Sequence, residues 1–509
     1  MNADLIVVGA GPSGLTVAAE VAKLGLNVIV LERREGGHSE SRAAGLVPRV
    51  TELLASRGVA DRFFKESSEQ QEWPFHPGHI YGGESGIKWR DSESRFDFSL
   101  RIQQWRTEKV LLGWCLDVGV DVRFGHIVED FGEEGDGYAV MARTSSGEEV
   151  SLTAKYLVGA DGGRSFVRTK LGIPFIGKDE SFLAVVADVV SDYPIKTNTV
   201  HYSENGWISA YPIDESKFRF IGVHAKLGSI DVSPAKGSPV TVDEVKRYLC
   251  DLLPDIVNVD DMNIKGLSWS NRFGDALRSV STFRSGRAFL VGEACRIHYP
   301  ASGVGMNFCL QDAFNLGWKL AYVLKGYSDP SLLDSFESER KPVMDRFLQS
   351  IDSQCTLQFT FTEGGKAHRD HFREYLLPLP EVKKHFVREL SGLTHPYDSE
   401  KGSHLLSGER LPDFDLILRD GRCSWVGNEL HDSEFVLLDL SGENVFQSLN
   451  VEAVAPVRVV CGHGSMLPEV MIGVKALLIR PDSYVAWATD TTPSLTEVEE
   501  VLSKWIRLP

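Results

Sequence analysis

The chain has 509 residues, 42% of them hydrophobic and 25% charged, the make-up of an ordinary water-soluble globular protein long enough for two to four domains. Its 54 basic and 71 acidic residues leave a formal charge of −17, which argues against nucleic-acid binding, and no run of about eighteen apolar residues offers a membrane span. Seven cysteines lie scattered without a C-x-x-C or metal-ligand spacing, so reduced thiols, no metal site and no dithiol chemistry are expected. The apolar run after Asp4 is too short for a signal peptide, and a cytoplasmic location is the expectation.

Residues Asp4 to Arg34 spell a strand, a turn, a helix and a second strand. Leu5 to Val8 is a short apolar run of the kind buried on both faces of a parallel sheet. Gly9, Gly11 and Gly14 follow at G-x-G-x-x-G spacing: the first permits the tight turn, the second lets a pyrophosphate approach, the third lets helix and strand pack closely. A helix from Ser13 to Leu24 would turn its free amides and dipole toward that pyrophosphate. The strand Val28 to Leu31 ends on Glu32, whose carboxylate could accept from the adenosine ribose hydroxyls. A unit at the start of the chain favours FAD, held as a resident cofactor, over a nicotinamide.

Arg42 and Arg49 come next, cations near the phosphate turn in sequence that serve either as phosphate ligands or as surface residues, with a helix from Pro48 to Arg57. Residues from about 70 to 100 are rich in aromatics and glycine and alternate like antiparallel strands, so they read as an excursion into a second layer. A helix over Gln104 to Val118 and strands at Asp121 to Phe124, Tyr138 to Arg143 and Glu149 to Leu152 follow. Tyr156 to Gly159 is another buried strand, and Ala160-Asp161-Gly162-Gly163 turns sharply into a helix; Asp161 there is either a cap or a ligand.

From Phe182 to Phe283 short alternating strands, with one helix near Val242 to Leu253, indicate an antiparallel sheet able to wall a cavity. Trp207, Tyr211 and His224 on it are sheet residues that could equally face a substrate. Ala288 to Val291 is a buried strand ended by Gly292-Glu293, and a loop from Pro300 to Gly305 leads into an amphipathic helix, Met306 to Leu324. Amides at that helix start would stabilise negative charge, such as a reduced flavin carries.

Three of these segments together resemble the FAD-dependent aromatic hydroxylases, flavoprotein monooxygenases of the para-hydroxybenzoate hydroxylase type, in the polyketide-tailoring subgroup with an added C-terminal domain. GAGPSG with Glu32 is similar to the family's ADP-binding motif, ADGGRSFVR (160 to 168) to its second motif, and Gly292-Glu293 with PASGVGMN (300 to 307) to its third. QWRTEKVL (104 to 111) and SRAAGL (41 to 46) match the segments that supply a glutamine by the flavin and an arginine to the pyrophosphate. The sequence departs from the pattern at Glu293, usually aspartate, at Arg296, usually histidine, and at Ser302, usually the first loop glycine.

The resemblance implies an α/β fold: a Rossmann-type FAD-binding domain (1–70, 101–181 and 284–345), an inserted antiparallel-sheet substrate domain (71–100 and 182–283), a helical connection (346–401) and a thioredoxin-like C-terminal domain (402–509) without C-x-x-C. It implies that FAD is bound by Gly9, Gly11, Pro12, Ser13, Gly14, Glu32, Arg33, Arg42, Gln104, Val128, Asp161, Gly292, Glu293, Pro300, Gly303, Gly305, Met306 and Asn307. Asp161 would also serve the nicotinamide pyrophosphate, and the Pro300 carbonyl would lie beside the reacting centre. The activity implied is oxidation of transient NADPH or NADH, formation of a C4a-hydroperoxyflavin with O2, and insertion of one oxygen atom into an aromatic or polyketide small molecule. Baeyer–Villiger oxygenation on the same fold, a flavin-dependent dehydrogenase and a non-oxygenating flavin-binding protein stay open as alternatives, as does a homodimer.

Overall fold

The computed structural model describes residues 2–37, 43–69, 74–197, 199–254, 256–443, 445–448 and 457–508. Its first sheet is built on four parallel pairings that place the strands in the order Ala288–Leu290, Glu149–Gly159, Ala3–Val8, Val28–Glu32, Asp121–Phe124. Leu5, Ile6, Val7 and Val30 are fully buried, as a parallel sheet covered by helices on both faces requires. Helix Pro12–Ala22 returns across this sheet against helices Gln104–Asp117 and Gly305–Leu324. The expected strands at 149–152 and 156–159 are one strand of 11 residues, Glu149–Gly159. Its first half pairs antiparallel with Gly137–Thr144 and its second half parallel with Ala3–Val8, so no turn interrupts it.

The second sheet is antiparallel, in the order Thr199–Ser203, Gly206–Asp214, Lys217–His224, Leu183–Ser191, Ile264–Gly274. Side chains on a strand alternate between faces, and here the two faces have different work. Val185, Ala187, Val189, Ile208, Ala210, Phe218 and Phe220 form a separate core under helix Val242–Leu252. The other face looks toward the FAD-binding sheet.

Residues 74–101 add no strand to that second sheet, contrary to expectation. Phe75–His76 and Ser99–Arg101 pair with Gly45–Leu46, and Gly78–Tyr81 pairs with Glu84–Lys88 as a separate hairpin. The alternation was real, but it satisfies short local ladders beside the first domain. The expected boundary at 345/346 likewise falls inside one helix, Asp334–Phe359, whose buried stripe Val343, Met344, Phe347, Leu348 and Ile351 runs through it.

The C-terminal region holds a six-stranded mixed sheet in the order Cys423–Trp425, Asp415–Leu418, Val457–Ser465, Phe435–Asp439, Ala476–Ile479, Val485–Thr489, with one parallel pair in its middle. It docks on the FAD-binding domain through buried charges. Arg57 hydrogen-bonds Glu20 at 2.7 and 2.9 Å and the carbonyls of Leu430 and Pro481 at 3.1 and 2.7 Å. Arg49 donates to the Ser483 hydroxyl at 2.9 Å and the Asp482 carbonyl at 2.8 Å. Arg49 is therefore a domain clamp and no phosphate ligand; it is buried, 2% exposed, in the first turn of helix Pro48–Ser56.

Candidate flavin and substrate site

Three turns meet at the carboxyl ends of adjacent parallel strands. At the first, a Cβ on Gly9 would lie 2.5 Å from the Ala160 carbonyl oxygen, and one on Gly14 would collide with the Gly9 carbonyl. Gly11 differs: a Cβ there would meet nothing within 4 Å, so open space remains at the start of helix Pro12–Ala22. Pro12 opens the helix, and the half-buried Ser13 donates to the Cys309 carbonyl at 3.4 Å. Glu32 is buried and accepts from the Ala10 amide at 2.8 Å, the Arg34 amide at 3.0 Å and the Arg34 side chain at 2.8 Å. Burial alone would raise its pKa, but the Arg34 side chain and these amides outweigh that and hold the carboxyl below the usual range. A carboxylate offers about four lone-pair sites, so one acceptor position is left over.

The second turn touches the first through Ala160, whose amide donates to the Val8 carbonyl at 2.8 Å. Asp161 accepts from the Ser165 hydroxyl at 2.5 Å and the Val167 amide at 3.0 Å, which caps helix Phe166–Lys170 from outside. The third turn follows strand Ala288–Leu290, and a Cβ on Gly292, at φ +68°, would lie 2.5 Å from the Ser13 hydroxyl. Glu293 next to it is exposed. Arg296 is buried and bound to Asp312 at 2.8 Å, which Arg340 holds from the other side at 2.7 Å, so this departure from the family's histidine serves the core under the site.

The loop from Pro300 to Gly305 stands over the same end of the sheet. Pro300 is exposed, and its carbonyl accepts from the Gly303 amide at 3.0 Å. Ser302 has φ +53°, ψ +3°, a left-handed conformation that costs a residue with a Cβ about 1–2 kcal/mol relative to glycine. Gly303, at φ +64°, has open space around it, whereas a Cβ on Gly305 would strike the His298 ring. Burial lowers the His298 pKa to about 4, so the ring beside the loop stays neutral at physiological pH. Helix Gly305–Leu324 begins here without a side-chain cap. Asn307 in its first turn is fully buried, accepting from the Val47 amide at 2.9 Å and donating to the Gly45 carbonyl at 3.1 Å, while Met306 is half-buried.

Of the remaining sites proposed from sequence, Gln104 donates to Glu108 at 2.9 Å, and Glu108 lies 3.5 Å from Arg34. A polar row Glu32, Arg34, Glu108, Gln104 thus borders the first turn; the sequence reading missed Arg34 and Glu108, although Glu108 follows Gln104 by one helical turn. Arg33 is exposed, Val128 is buried opposite Ala142 in strand His126–Glu134, and Arg42 lies outside the described residues.

Strand register sorts the second sheet. Tyr202, Trp207, Val223, Ala184 and Phe273 form one row across the face toward the loop, and Tyr211, Arg219, Asp188 and Trp269 another. Trp207 is buried, and its indole N–H has no acceptor among the described residues. Its ring lies 5.8 Å from Phe359, which lies 5.0 Å from Tyr299, the residue before Pro300. In the second row Arg219 holds Asp188 at 2.6 and 2.9 Å and hydrogen-bonds Tyr211. His224 does not belong to this face. Its Nε2 lies 3.2 Å from Asp251, its Nδ1 accepts from the Lys226 and Leu227 amides, and its ring packs on Tyr248 of helix Val242–Leu252. His224 alternates with Phe218 and Phe220 on strand Lys217–His224 and pairs with Gly206, so it shares their face toward that helix, away from the loop.

Residues 2–350 match the family model described as FAD binding domain, and residues 404–509 match aromatic-ring hydroxylase, C-terminal. The chain belongs to the FAD-dependent aromatic-ring hydroxylases. It is 32% identical to the aromatic compound monooxygenase YhjG of Bacillus subtilis (strain 168), over 99% of this chain and 98% of that one. It is 31% identical, over the whole of both chains, to the 12-dehydrotetracycline 5-monooxygenase/anhydrotetracycline 6-monooxygenase of Streptomyces rimosus. The crystal structure of CabE, an aromatic hydroxylase from angucycline biosynthesis, superposes with a TM-score of 0.87 at 31% identity, covering 100% of both chains.

The residues at this junction fit FAD. Gly11 and Gly303 leave space that any other residue would fill, Glu32 keeps a free acceptor position, and two helices direct amide ends at the junction.

Proposed function

We propose that this hydroxylase inserts one oxygen atom from O2 into a fused-ring aromatic small molecule of the polyketide kind, with a nicotinamide as reductant. The observation that carries the substrate class is the row of rings from Tyr299 beside the flavin loop, through Phe359, to Trp207 on the second sheet. Such a wall suits a flat apolar ring system, and the buried Trp207 N–H suits an oxygen on it, since a buried donor without an acceptor is costly.

Bound FAD supplies the redox chemistry and the activation of oxygen. The chain supplies position, charge and a dry enclosure. Gly11 and the first turn of helix Pro12–Ala22 would take the pyrophosphate together with Ser13 and the arginines Arg33 and Arg42, and Glu32 would take the adenosine ribose. Asp161, Glu293 and Gln104 would border the linker and the ring, and the start of helix Gly305–Leu324 at Met306 and Asn307 would turn its dipole to negative charge on the pyrimidine edge. The Pro300 carbonyl would lie on the substrate side of the bound flavin.

The test is direct. Purified protein should be yellow, and a hydroxylated anthraquinone or tetracyclic phenol should speed NADPH or NADH oxidation and give a product carrying one atom of isotopically labelled dioxygen. Protein that neither carries nor binds FAD, or no stimulation by any fused-ring phenol, would overturn the reading.

A further inference from the structure

Ser302 is held in its left-handed conformation from outside the loop. Its hydroxyl lies 2.5 Å from Oε1 of Gln354 and 2.9 Å from the Ile80 carbonyl, one proton between two acceptors with the closer contact to Gln354. Gln354 sits on helix Asp334–Phe359, is 1% exposed, and belongs to none of the three flavin turns. The same Oε1 accepts from the Gly82 amide at 3.1 Å, and the Gln354 amide nitrogen donates to the Ser350 hydroxyl at 3.2 Å. Gly82 in turn accepts, through its carbonyl, from the Tyr202 hydroxyl at 3.2 Å. Tyr202 stands in the same row as Trp207 on the face of the second sheet.

We propose that Gln354 is a positioning residue for the flavin-facing loop, fixing Pro300–Gly305 through Ser302 and linking it, through Gly82 and Tyr202, to the substrate sheet. The argument is one of compensation. A glycine would adopt the Ser302 backbone without cost; a serine does so here because its hydroxyl gains two buried acceptors that a glycine could not use. Gln354 and Ser302 therefore act as a pair. Loss of the glutamine leaves the Ser302 hydroxyl with the Ile80 carbonyl alone and takes away the acceptor of the Gly82 amide, and the loop loses its tether on the side facing the substrate sheet. The inference rests on the flavin site proposed above.

The test is a two-residue cycle read on bound flavin, with no substrate needed. Gln354→Leu should weaken FAD binding by about tenfold or more and shift the visible absorbance maxima and midpoint potential of the bound flavin. In a Ser302→Gly background the same change should move all three at least about fivefold less, because glycine holds the turn unaided. Melting of the apoproteins controls for folding, and Gln354→Asn, which draws the amide oxygen back from both Ser302 and Gly82, serves if Gln354→Leu folds poorly: it should give the same loss in the Ser302 background and the same relief in the Ser302→Gly background. Equal effects of Gln354→Leu in both backgrounds, or no effect in the first, would overturn the positioning role while leaving the flavin site intact. A wild type that binds no FAD would overturn the flavin site itself, and the positioning role with it.

Discussion

Arg480 of the C-terminal sheet and Glu339 of the long helix meet through hydrogen bonds of 2.6 and 2.8 Å, with Lys319 on the same carboxylate at 2.7 Å. All three are buried where two domains join. Burial alone would raise the Glu339 pKa, but Arg480 and Lys319 outweigh it and bring it down to about 2. Glu339→Gln would leave Lys319 without its carboxylate and Arg480 with Asp482 alone, and breaking one partner of a buried cluster costs about 3–5 kcal/mol. Urea denaturation should show that loss, and an unchanged midpoint would show that the cluster is not tightly coupled to folding. The pH dependence has a definite sign. A carboxyl whose folded pKa lies below its ordinary 4.5 stabilises fully above that value, and the contribution fades as pH falls from 4.5 toward 2. The wild type should therefore lose stability through that window more steeply than Glu339→Gln.

Gly11 and Gly14 make opposite predictions although they share one motif. A methyl on Gly11 projects into open space, and the backbone there, at φ −74°, suits any residue. Gly11→Ala apoprotein should melt within about 0.5 kcal/mol of wild type yet bind FAD at least about 100-fold more weakly. At Gly14 the methyl would collide with the Gly9 carbonyl, so Gly14→Ala should lose both the fold of the first unit and the cofactor. Apoprotein melting together with FAD titration separates the two cases.

Why these turns were legible in sequence, and the loop's support was not, follows from their range. Gly14 packs on Gly9, and Glu32 accepts from Ala10 and Arg34, all within one strand-turn-helix-strand unit, so spacing alone reports them. Ser302 is separated from Gln354 by 52 residues and from Ile80 by 222, and the sequence showed only that a glycine was missing. Arg49 was ambiguous for the same reason, since Asp482 and Ser483, which it clamps, lie more than 430 residues away. His224 fell on the wrong face because alternation sorts a strand into two sides without saying which side a helix will cover: the register pairs Trp207 with Val223 and leaves His224 in the row of Phe218 and Phe220.

The two faces of the second sheet should separate in kinetics. Tyr211 receives a hydrogen bond from Arg219, which can only donate, so the phenol's own proton is free to point at a substrate oxygen. Burial raises its pKa, which keeps that proton in place. Tyr211→Phe should raise KM for an oxygenated fused-ring substrate by about tenfold with little change in kcat or FAD affinity. His224→Ala removes contacts on the back face and should cost about 1–3 kcal/mol of stability while leaving KM unaltered. A KM change in the second variant and none in the first would reverse the assignment of the faces.

Glu293 is the sharpest test of the altered third motif. It sits exposed on the short turn Gly292–Ala294, and Gly292 packs on Ser13, so the carboxylate is presented at the seam between the first and third turns. A charge-assisted hydrogen bond contributes about 1.5–3 kcal/mol, so Glu293→Ala should weaken FAD by roughly 10–100-fold without lowering apoprotein stability. Glu293→Asp should bind FAD within about threefold of wild type if the turn can bring the shorter side chain up to the same hydroxyl. Should Glu293→Ala hold FAD as tightly as the wild type, the carboxylate makes no contact with the flavin, and the longer side chain at this position would be a surface residue in a motif that works through its glycine alone.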